Sequence, residues 1–144
     1  MTSADIPSYD NDNVFAKILR EELPCVKIYE DAHTLAFMDV MPQTDGHTLV
    51  IPKNPSVNVL DIAPEDAAAV MHTTLKIARA VKKGMGASGV QLMQLNGAAA
   101  GQTVFHTHFH IIPREDGVEM RFHAKNMADP AELEKHAAKI RAAL

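Results

Sequence analysis

The stretch VFHTHFHIIPR, residues 104–114, places three histidines at alternate positions: His106, His108 and His110. Alternate residues of a strand face the same side, so an extended chain would put the three imidazoles in one row, about 6.6–6.8 Å apart. We call these three residues the histidine row. The residues that alternate to the opposite face, where the two phenylalanines are expected to pack inward, are Phe105, Thr107, Phe109 and Ile111.

Three interpretations of the histidine row compete. It is a polar strand face with no special role, or it is a metal site, since histidines two positions apart on a strand can share a zinc ion. The outer pair, about 13 Å apart along a strand, cannot join the same ion without bending, and the chain has neither a cysteine pair nor an HExxH motif. The third interpretation is catalysis on an anion, because an imidazole with a pKa near 6.5 is partly neutral at pH 7 and can attack as a nucleophile.

The loop NGAAAGQT, residues 96–103, directly precedes the histidine row and favours the catalytic interpretation. Its glycines, including Gly101, let backbone N–H groups turn toward a ligand. The side chains of Asn96, Gln102 and Thr103 add hydrogen-bond donors. Alone the loop would indicate only a tight turn, but joined to the three histidines it predicts a phosphate-binding loop.

The composition indicates one globular domain. A chain of 144 residues can bury a substantial core, and a net charge of −4 argues against a broad basic surface for nucleic acid. The single cysteine, Cys25, cannot form an intramolecular disulfide, which fits a reducing compartment. The polar N-terminus lacks the features of a signal peptide, and no apolar run reaches the roughly 20 residues that span a bilayer. We expect a cytoplasmic protein without membrane or nucleic-acid partners, with a flexible arm over residues 1–12 and one domain over 13–144.

The first half of the chain predicts a short helix and three strands. Asn13 is a helix-capping residue before a helix over 14–22. Alternating apolar residues predict strands at 26–30, 34–40 and 47–52. The connections between these strands are too short for crossover helices, so the strands should be antiparallel neighbours.

The second half predicts a long helix over 64–83 that Gly84 and Gly86 end, a strand over 89–95, the histidine strand, and a helix over 130–144. The expected buried stripe of the long helix is Ala67, Met71, Leu75, Ala78 and Val81. That of the last helix is Leu133, Ala137, Ile140 and Leu144. The predicted fold class is α+β: an antiparallel sheet of about five strands, one long helix against it, and short terminal helices.

The segment NGAAAGQTVFHTHFHIIPR resembles the signature of the histidine-triad (HIT) family, in which histidines alternate with apolar residues after a Gly-Gln-Ser/Thr loop. FAKILREELP, KIYED and LAFMDVMPQTDGHTLVIPK resemble the Hint-like branch of that family in the same order. The resemblance covers roughly residues 13 to 114. It implies a HIT-like fold and two-fold dimers formed through the long helix and the adjoining sheet edge.

The resemblance also implies an activity. Family members are hydrolases or transferases at the α-phosphate of nucleotide derivatives, and their middle histidine forms a nucleotidyl-histidine intermediate that water cleaves. Carried over, His108 is the nucleophile, His110 contacts the phosphate and His106 supports the nucleophile. His47 matches a fourth family histidine near the triad.

The implied substrate contacts lie outside the triad as well. Asp39 matches the family's acidic residue that accepts hydrogen bonds from the ribose hydroxyls. Asn96, Gln102 and Thr103 match positions on the phosphate and leaving-group side. The positions that correspond to the apolar wall of the base pocket are Val14, Phe15, Ile18, Leu23, Phe37 and Val40.

Two departures from the family pattern refine these expectations. Some bacterial relatives hold structural zinc, but three of the corresponding positions read Asn13, Ala16 and Pro55, so that only His106 remains. We therefore predict neither a metal nor another cofactor. Transferase relatives carry glutamine in place of the third triad histidine, so His110 favours hydrolysis.

The resulting prediction is a hydrolase that cuts the P–N bond of AMP- or GMP-linked amines and works as a homodimer on purine nucleotides. The alternatives are a dinucleoside polyphosphate hydrolase and a nucleotide-binding scaffold with little turnover. The segment after Arg114, where family branches differ most, is the region that would shape leaving-group preference.

Overall fold

The computed structural model describes residues 6–122, 124 and 126–144, so residues 1–5 of the expected arm lie outside the described part. Its helices are α1 (Val14–Leu19), α2 (Pro64–Met85) and α3 (Pro130–Ala142), with a 3-10 turn at Ala98–Ala100. Its strands are β1 (Lys27–Glu30), β2 (Thr34–Met38), β3 (Thr48–Pro52), β4 (Gly89–Met93) and β5 (Phe109–Arg114). Within these ranges, none of the helices combines the length and apolarity needed to cross a membrane.

The five strands form one antiparallel sheet in the order β1-β2-β3-β5-β4. This arrangement confirms the predicted α+β class, the strand count and the antiparallel pairing of the first three strands. Strand β5 lies between β3 and β4, and His110 stands opposite Leu49 on one side and Met93 on the other. The last histidine of the row is therefore fixed inside the sheet by two neighbouring strands.

The two faces of the sheet bury different clusters. On one face, α2 and α3 cover a larger core that includes Ala36, Val50 and Ile111. On the other face, α1 covers a smaller cluster that includes Phe15 and Leu49. Directly opposed residues of antiparallel strands share a face, so His110, which is opposite Leu49, points to the α1 face. The fold thus places the candidate site on the less covered side of the sheet.

The buried stripe predicted for the long helix is right at Val81 and, in part, at Ala78, which packs half-buried against the larger core. Ala67 is half-buried. The residues of α2 that are buried are Val70, Thr73, Thr74, Ile77, Ala80 and Val81, whereas Met71 and Leu75 are exposed. The helix is turned by about one residue, or 100°, from the expected orientation. The cause is that two threonines face the core, and the Thr73 hydroxyl is satisfied there by the Thr34 hydroxyl at 2.7 Å.

Two helix ends also differ from expectation. Helix α1 stops at Leu19 rather than at residue 22, because Glu21 adopts a left-handed conformation with φ of 62°. Helix α2 continues through Gly84 and ends at Gly86, which is left-handed. A Cβ atom at position 84 would lie 2.6 Å from the Lys139 carbonyl oxygen of α3, so Gly84 permits helix packing instead of ending a helix.

The last helix agrees with its predicted stripe at three positions, since Leu133, Ala137 and Ile140 are buried. Leu144 lies beyond the end of α3 and is exposed. Asn13 caps α1 as predicted, accepting a hydrogen bond from the Ala16 backbone N–H at 2.9 Å.

Candidate active site

The histidine row is not one straight strand. Strand β5 begins only at Phe109, so His110 lies in the sheet while His106 and His108 lie in an irregular approach to it. The rings of His108 and His110 are nevertheless neighbours, with centroids 4.9 Å apart. Phe15 packs against two rings of the row; its ring centroid lies 4.9 Å from that of His108 and 6.4 Å from that of His106.

The residues between the histidines hold this approach in place. Thr107 is buried; its backbone N–H donates to the Ser56 carbonyl at 2.9 Å, and the two hydroxyls are 2.6 Å apart. Phe109 packs against the larger core as expected, whereas Phe105 is only half-buried. Bonds to the segment after β3 therefore replace the regular strand pairing that the sequence suggested.

Both ring nitrogens of His106 are occupied. Nε2 lies 2.8 Å from the Pro52 carbonyl oxygen, which can only accept, so Nε2 carries the proton. Nδ1 then accepts from the Tyr9 hydroxyl at 2.6 Å. Burial lowers the pKa of His106 to about 4, so the ring is neutral at pH 7. With both nitrogens engaged, the ring offers no free lone pair to a metal ion.

His108 has a defined tautomer with one free nitrogen. Its Nδ1 lies 2.7 Å from the backbone oxygen of His106, and because a carbonyl only accepts, the proton sits on Nδ1. The Nε2 lone pair is then available. Burial lowers the pKa of His108 even though the bond to His106 partly opposes this effect. A neutral imidazole with an unprotonated Nε2 is the form that attacks an electrophile.

A directed chain of hydrogen bonds reaches His110. The Gln43 backbone N–H donates to Nδ1 of His47 at 3.0 Å, which leaves the His47 proton on Nε2. That Nε2 lies 2.9 Å from Nδ1 of His110, so His47 donates and the proton of His110 sits on Nε2. Burial lowers the pKa of His47 to about 3 and that of His110 to about 4, with the neighbouring imidazoles adding to both shifts. His47 thus fixes the ring of His110 as a neutral donor through Nε2–H.

Asp39 lies beside His47 in this chain. Its Oδ1 accepts from the Met41 backbone N–H at 2.8 Å, and its Oδ2 is 3.4 Å from Nε2 of His47. Burial raises the pKa of Asp39 to about 6 despite the bond from Met41. At pH 7 the carboxyl is therefore mostly ionised while the imidazole of His47 is neutral, so the pair is not a salt bridge.

Asp39, His47 and His110 also satisfy the distance criterion for a cation site, since one donor atom from each lies within 4.8 Å of the others. The hydrogen bonds argue against that use. Nδ1 of His47 accepts from a backbone N–H, so a cation on Nε2 would have to displace the ring's proton. The geometry favours a hydrogen-bonded chain over a metal centre, and the absence of a metal stays a prediction.

Gln102 has a different position from the one expected of a phosphate donor. Its side chain is buried, and Nε2 donates to the carbonyl oxygens of Val57 at 2.7 Å and Val104 at 3.1 Å. Its Oε1 accepts from the Gly97 backbone N–H at 2.8 Å. Both amide protons are used inside the protein, so Gln102 braces the loop here instead of presenting a donor to a ligand.

The other predicted loop residues lie near Gln102 in the sequence. Asn96 is half-buried; its Oδ1 accepts from the Val59 backbone N–H at 2.9 Å, and its amide pairs with that of Gln94. Gly101 is left-handed with φ of 99°, and Thr103 is exposed. The loop thus has a glycine-dependent backbone and one exposed hydroxyl residue near the histidine row.

The residues predicted for the base wall divide into core and rim. Phe15 and Phe37 are buried in the smaller cluster, Ile18 is half-buried, and Leu23 and Val40 are exposed. Val14 is also exposed. A cavity of about 380 Å³ between α1 and the sheet is lined in part by Ile18 and Leu23, but by none of the histidines of the row. The structure brings Phe15 directly to His108; the remaining wall residues lie further out.

Several residues that hold the histidines were missed by sequence reasoning. Tyr9, Gln43, Pro52 and Ser56 each bond a histidine or its neighbour, in three cases through backbone atoms. A contact made through backbone atoms does not depend on the type of residue, so a single sequence does not reveal it. Tyr9 is 97 residues from His106, and only the folded chain brings the two together.

The chain is similar to known proteins of one family. The HIT domain pattern matches residues 20–117. A relative from Arabidopsis thaliana named adenylylsulfatase HINT3 is 44% identical over 106 residues, which span 74% of this chain and 54% of that protein. A relative from Schizosaccharomyces pombe named adenosine 5'-monophosphoramidase hnt1 is 40% identical over 101 residues, spanning 70% of this chain and 73% of that one.

A solved structure extends the match to nearly the whole chain. The crystal structure of a Hit-like protein from Bartonella henselae superimposes with a TM-score of 0.90 at 52% identity, covering 95% of this chain and all of that one. The domain match covers more than half of the chain, and the neighbour shares its fold. The chain belongs to the HIT family.

Proposed function

We propose that this protein hydrolyses the P–N bond of purine nucleoside phosphoramidates, AMP- or GMP-linked amines, through a nucleotide bound covalently to Nε2 of His108. The observation that carries the proposal is the 2.7 Å bond between Nδ1 of His108 and the His106 carbonyl, which leaves Nε2 unprotonated. A histidine nucleophile divides one difficult substitution at phosphorus into two easier ones.

In the first step the Nε2 lone pair of His108 attacks the α-phosphorus, the P–N bond breaks, and the substrate nitrogen, protonated beforehand, leaves as a neutral amine. In the second step water attacks the same phosphorus and releases a proton, which balances the one taken up by the substrate nitrogen; the bond to His108 breaks, and the nucleoside monophosphate departs. The sum is phosphoramidate plus water giving amine plus nucleoside monophosphate. In this proposal His110, whose Nδ1 accepts from His47, donates its Nε2–H to a phosphate oxygen as charge develops.

Family membership supports a nucleotide-binding hydrolase, and the names of the two curated relatives support a nucleotide substrate. Asp39 supports the proposal that the substrate contains a ribose, because its carboxylate can accept two hydrogen bonds from a cis-diol. Apolar side chains near His108, above all Phe15, suit a stacked purine. The exposed Thr103 and the Asn96 amide are proposed on the leaving-group side of the phosphate.

The leaving group separates the proposal from its alternatives. Kinetics with adenosine 5'-phosphoramidate, its guanosine counterpart and a diadenosine polyphosphate should give a kcat/KM at least about tenfold higher for a phosphoramidate. A preference for the dinucleotide would identify a dinucleoside polyphosphate hydrolase. Tight nucleotide binding without turnover of any of the three would instead indicate a scaffold.

The pH dependence should report Asp39 before His47, His106 or His110. Its pKa is raised to about 6, whereas His47, His106 and His110 have values of about 3 to 4. On acidification the carboxylate is therefore lost first, and with it an acceptor for the ribose. We expect kcat/KM to fall about tenfold per pH unit below pH 6. The Asp39→Asn variant should have a lower kcat/KM than the wild type at pH 7 and should lack this decline.

The stability of the same variant provides the control. A carboxyl whose pKa is raised above its unfolded value destabilises the folded protein as pH rises from about 4 to 6. Asp39→Asn should thus be at least as stable as the wild type at pH 7, as measured by urea unfolding. An unchanged decline of kcat/KM below pH 6 in Asp39→Asn would assign that decline to another group.

A homodimer and a reducing location belong to the same proposal. Met71 and Leu75 are 39% and 45% exposed on α2, and Leu92 is exposed on β4, an edge strand of the described sheet. These side chains suit the proposed interface through the long helix and sheet edge. Sedimentation should give a particle of twice the 15.7 kDa chain mass, and a monomer at micromolar concentration would contradict the proposal.

The single, half-buried Cys25 supports a reducing, cytoplasmic location.

A further inference from the structure

We propose that Tyr9 is a positioning residue for the nucleophile: its hydroxyl holds the His106 ring, so that the backbone carbonyl of His106 keeps His108 in its reactive tautomer. The contact is direct, with the Tyr9 oxygen 2.6 Å from Nδ1 of His106 and the two rings in an edge-on arrangement with centroids 5.7 Å apart. The catalytic consequence rests on the function proposed for His108; the contact and its effect on tautomers do not.

The direction of this bond follows from its neighbours. Nε2 of His106 faces the Pro52 carbonyl, which can only accept, so the neutral ring has its proton there and Nδ1 must accept. Burial raises the pKa of Tyr9, which keeps its hydroxyl protonated as the donor. The ring of His106 is thus held at both nitrogens, by the end of β3 on one side and by the N-terminal segment on the other.

The backbone at this point needs such support. Residues 106–108 precede β5, so the His106 carbonyl that orients His108 is not held by regular strand pairing. Its anchors are the bonds between Thr107 and Ser56 and the two bonds of the His106 ring. Without the Tyr9 hydroxyl, Nδ1 of His106 would be a buried acceptor without a partner, a state costly enough to favour movement of the ring and of the backbone that carries it.

Tyr9 is itself held in place. The Asn11 carbonyl accepts from Nη1 of Arg20 at 2.6 Å, and the Asp10 carbonyl accepts from the side-chain amide of Asn13 at 2.7 Å. Asn13 caps α1, so the segment that carries Tyr9 is tied to a helix next to the site. From Tyr9 onward the expected N-terminal arm therefore contacts the domain.

The charge of His106 gives Tyr9 a second effect on the nucleophile. The ionisable groups that face His106 are Tyr9, His108 and, at longer range, Asp61. A proton on Nδ1 of His106 would put a positive charge beside His108 and weaken its lone pair as a nucleophile. A hydroxyl donating to Nδ1 excludes a proton at that atom.

The test compares Tyr9→Phe, which keeps the ring and removes the hydroxyl, with Tyr29→Phe as the matched control. The Tyr29 hydroxyl is bonded to Asp31 at 3.0 Å, away from the histidine row. Three measurements are made on each: ring-nitrogen NMR shifts of His106 and His108, the single-turnover rate of nucleotidylation of His108 with a labelled AMP-amine, and the KM of steady-state hydrolysis of that substrate.

For Tyr9→Phe we expect the nitrogen shifts of His108 to leave those of the pure Nδ1–H form, the nucleotidylation rate to fall about threefold to tenfold, and KM to change less than twofold. Tyr29→Phe should match the wild type in all three. Wild-type nitrogen shifts and rate in Tyr9→Phe would overturn the proposal, as would a loss of thermal stability with an unchanged rate. If the wild type itself shows no nucleotidylation, the proposed function fails, and the nitrogen shifts alone then decide whether Tyr9 sets the tautomers.

Discussion

Replacing His108 by alanine is expected to lower the turnover of a nucleoside phosphoramidate about 10⁴-fold or more. His108 is the one member of the histidine row with a free ring lone pair at a defined nitrogen, because its Nδ1 donates to the His106 carbonyl. Alanine removes the attacking atom, and no neighbouring imidazole can replace it: Nε2 carries the proton in His106 and also in His110. Steady-state assays with adenosine 5'-phosphoramidate measure the effect.

Nucleotide binding should survive this substitution. Asp39 and the apolar wall are unaffected by the loss of one imidazole, so the dissociation constant for AMP, measured by calorimetry, should change by less than about tenfold. His33→Ala is a matched control, since it removes the exposed side chain of a histidine outside the row and should leave turnover unchanged. Residual turnover above about a tenth of wild type in His108→Ala would remove this residue from the chemical step.

Replacing His110 by alanine is the second large effect, an expected loss of about 10²–10³-fold in kcat. The Nε2–H of His110 is a preorganised donor, because His47 occupies its Nδ1 and is itself oriented by a backbone N–H. Charge that develops on the phosphate oxygens is then stabilised without reorganisation of the site. KM should change much less than kcat, because the donor acts most strongly in the transition state.

A double-mutant cycle tests whether His47 acts through His110. His47→Ala alone should lower kcat about tenfold, since it frees the ring of His110 to rotate and to change tautomer. In the His110→Ala background the same change should have almost no further effect. Additive losses would show that His47 acts independently, for example on the substrate, and would contradict the hydrogen-bonded chain from Gln43 to His110.

The sequence predicted the fold wherever local pattern and packing agreed. Short connections indicated antiparallel strands, and three of the four residues in the stripe expected for α3 are buried. The long helix shows where this reasoning stops, because its core face includes Thr73 and Thr74. The Thr73 hydroxyl is stabilised by a partner on another element, the Thr34 hydroxyl, and such a partner is unknown before the fold is known.

The site was predictable at the level of residue identity and less so at the level of geometry. Alternation indicated that the histidines are neighbours, yet His106 and His108 lie before β5 because bonds to residues such as Ser56 direct the chain there. Gln102 looked like an exposed donor in sequence, but its amide protons are used by Val57 and Val104. These partners are backbone carbonyls, which a sequence does not distinguish.

The most direct measurement of the central claim is mass spectrometry of the covalent intermediate. The protein is mixed with a radiolabelled or fluorogenic AMP-amine, quenched in base within one turnover, and digested, and the peptide that contains residues 104–114 is sequenced. The account predicts one added nucleotide on His108 that decays as AMP appears. Product formation with the nucleotide on another residue, or with none on this peptide at any time, would contradict it.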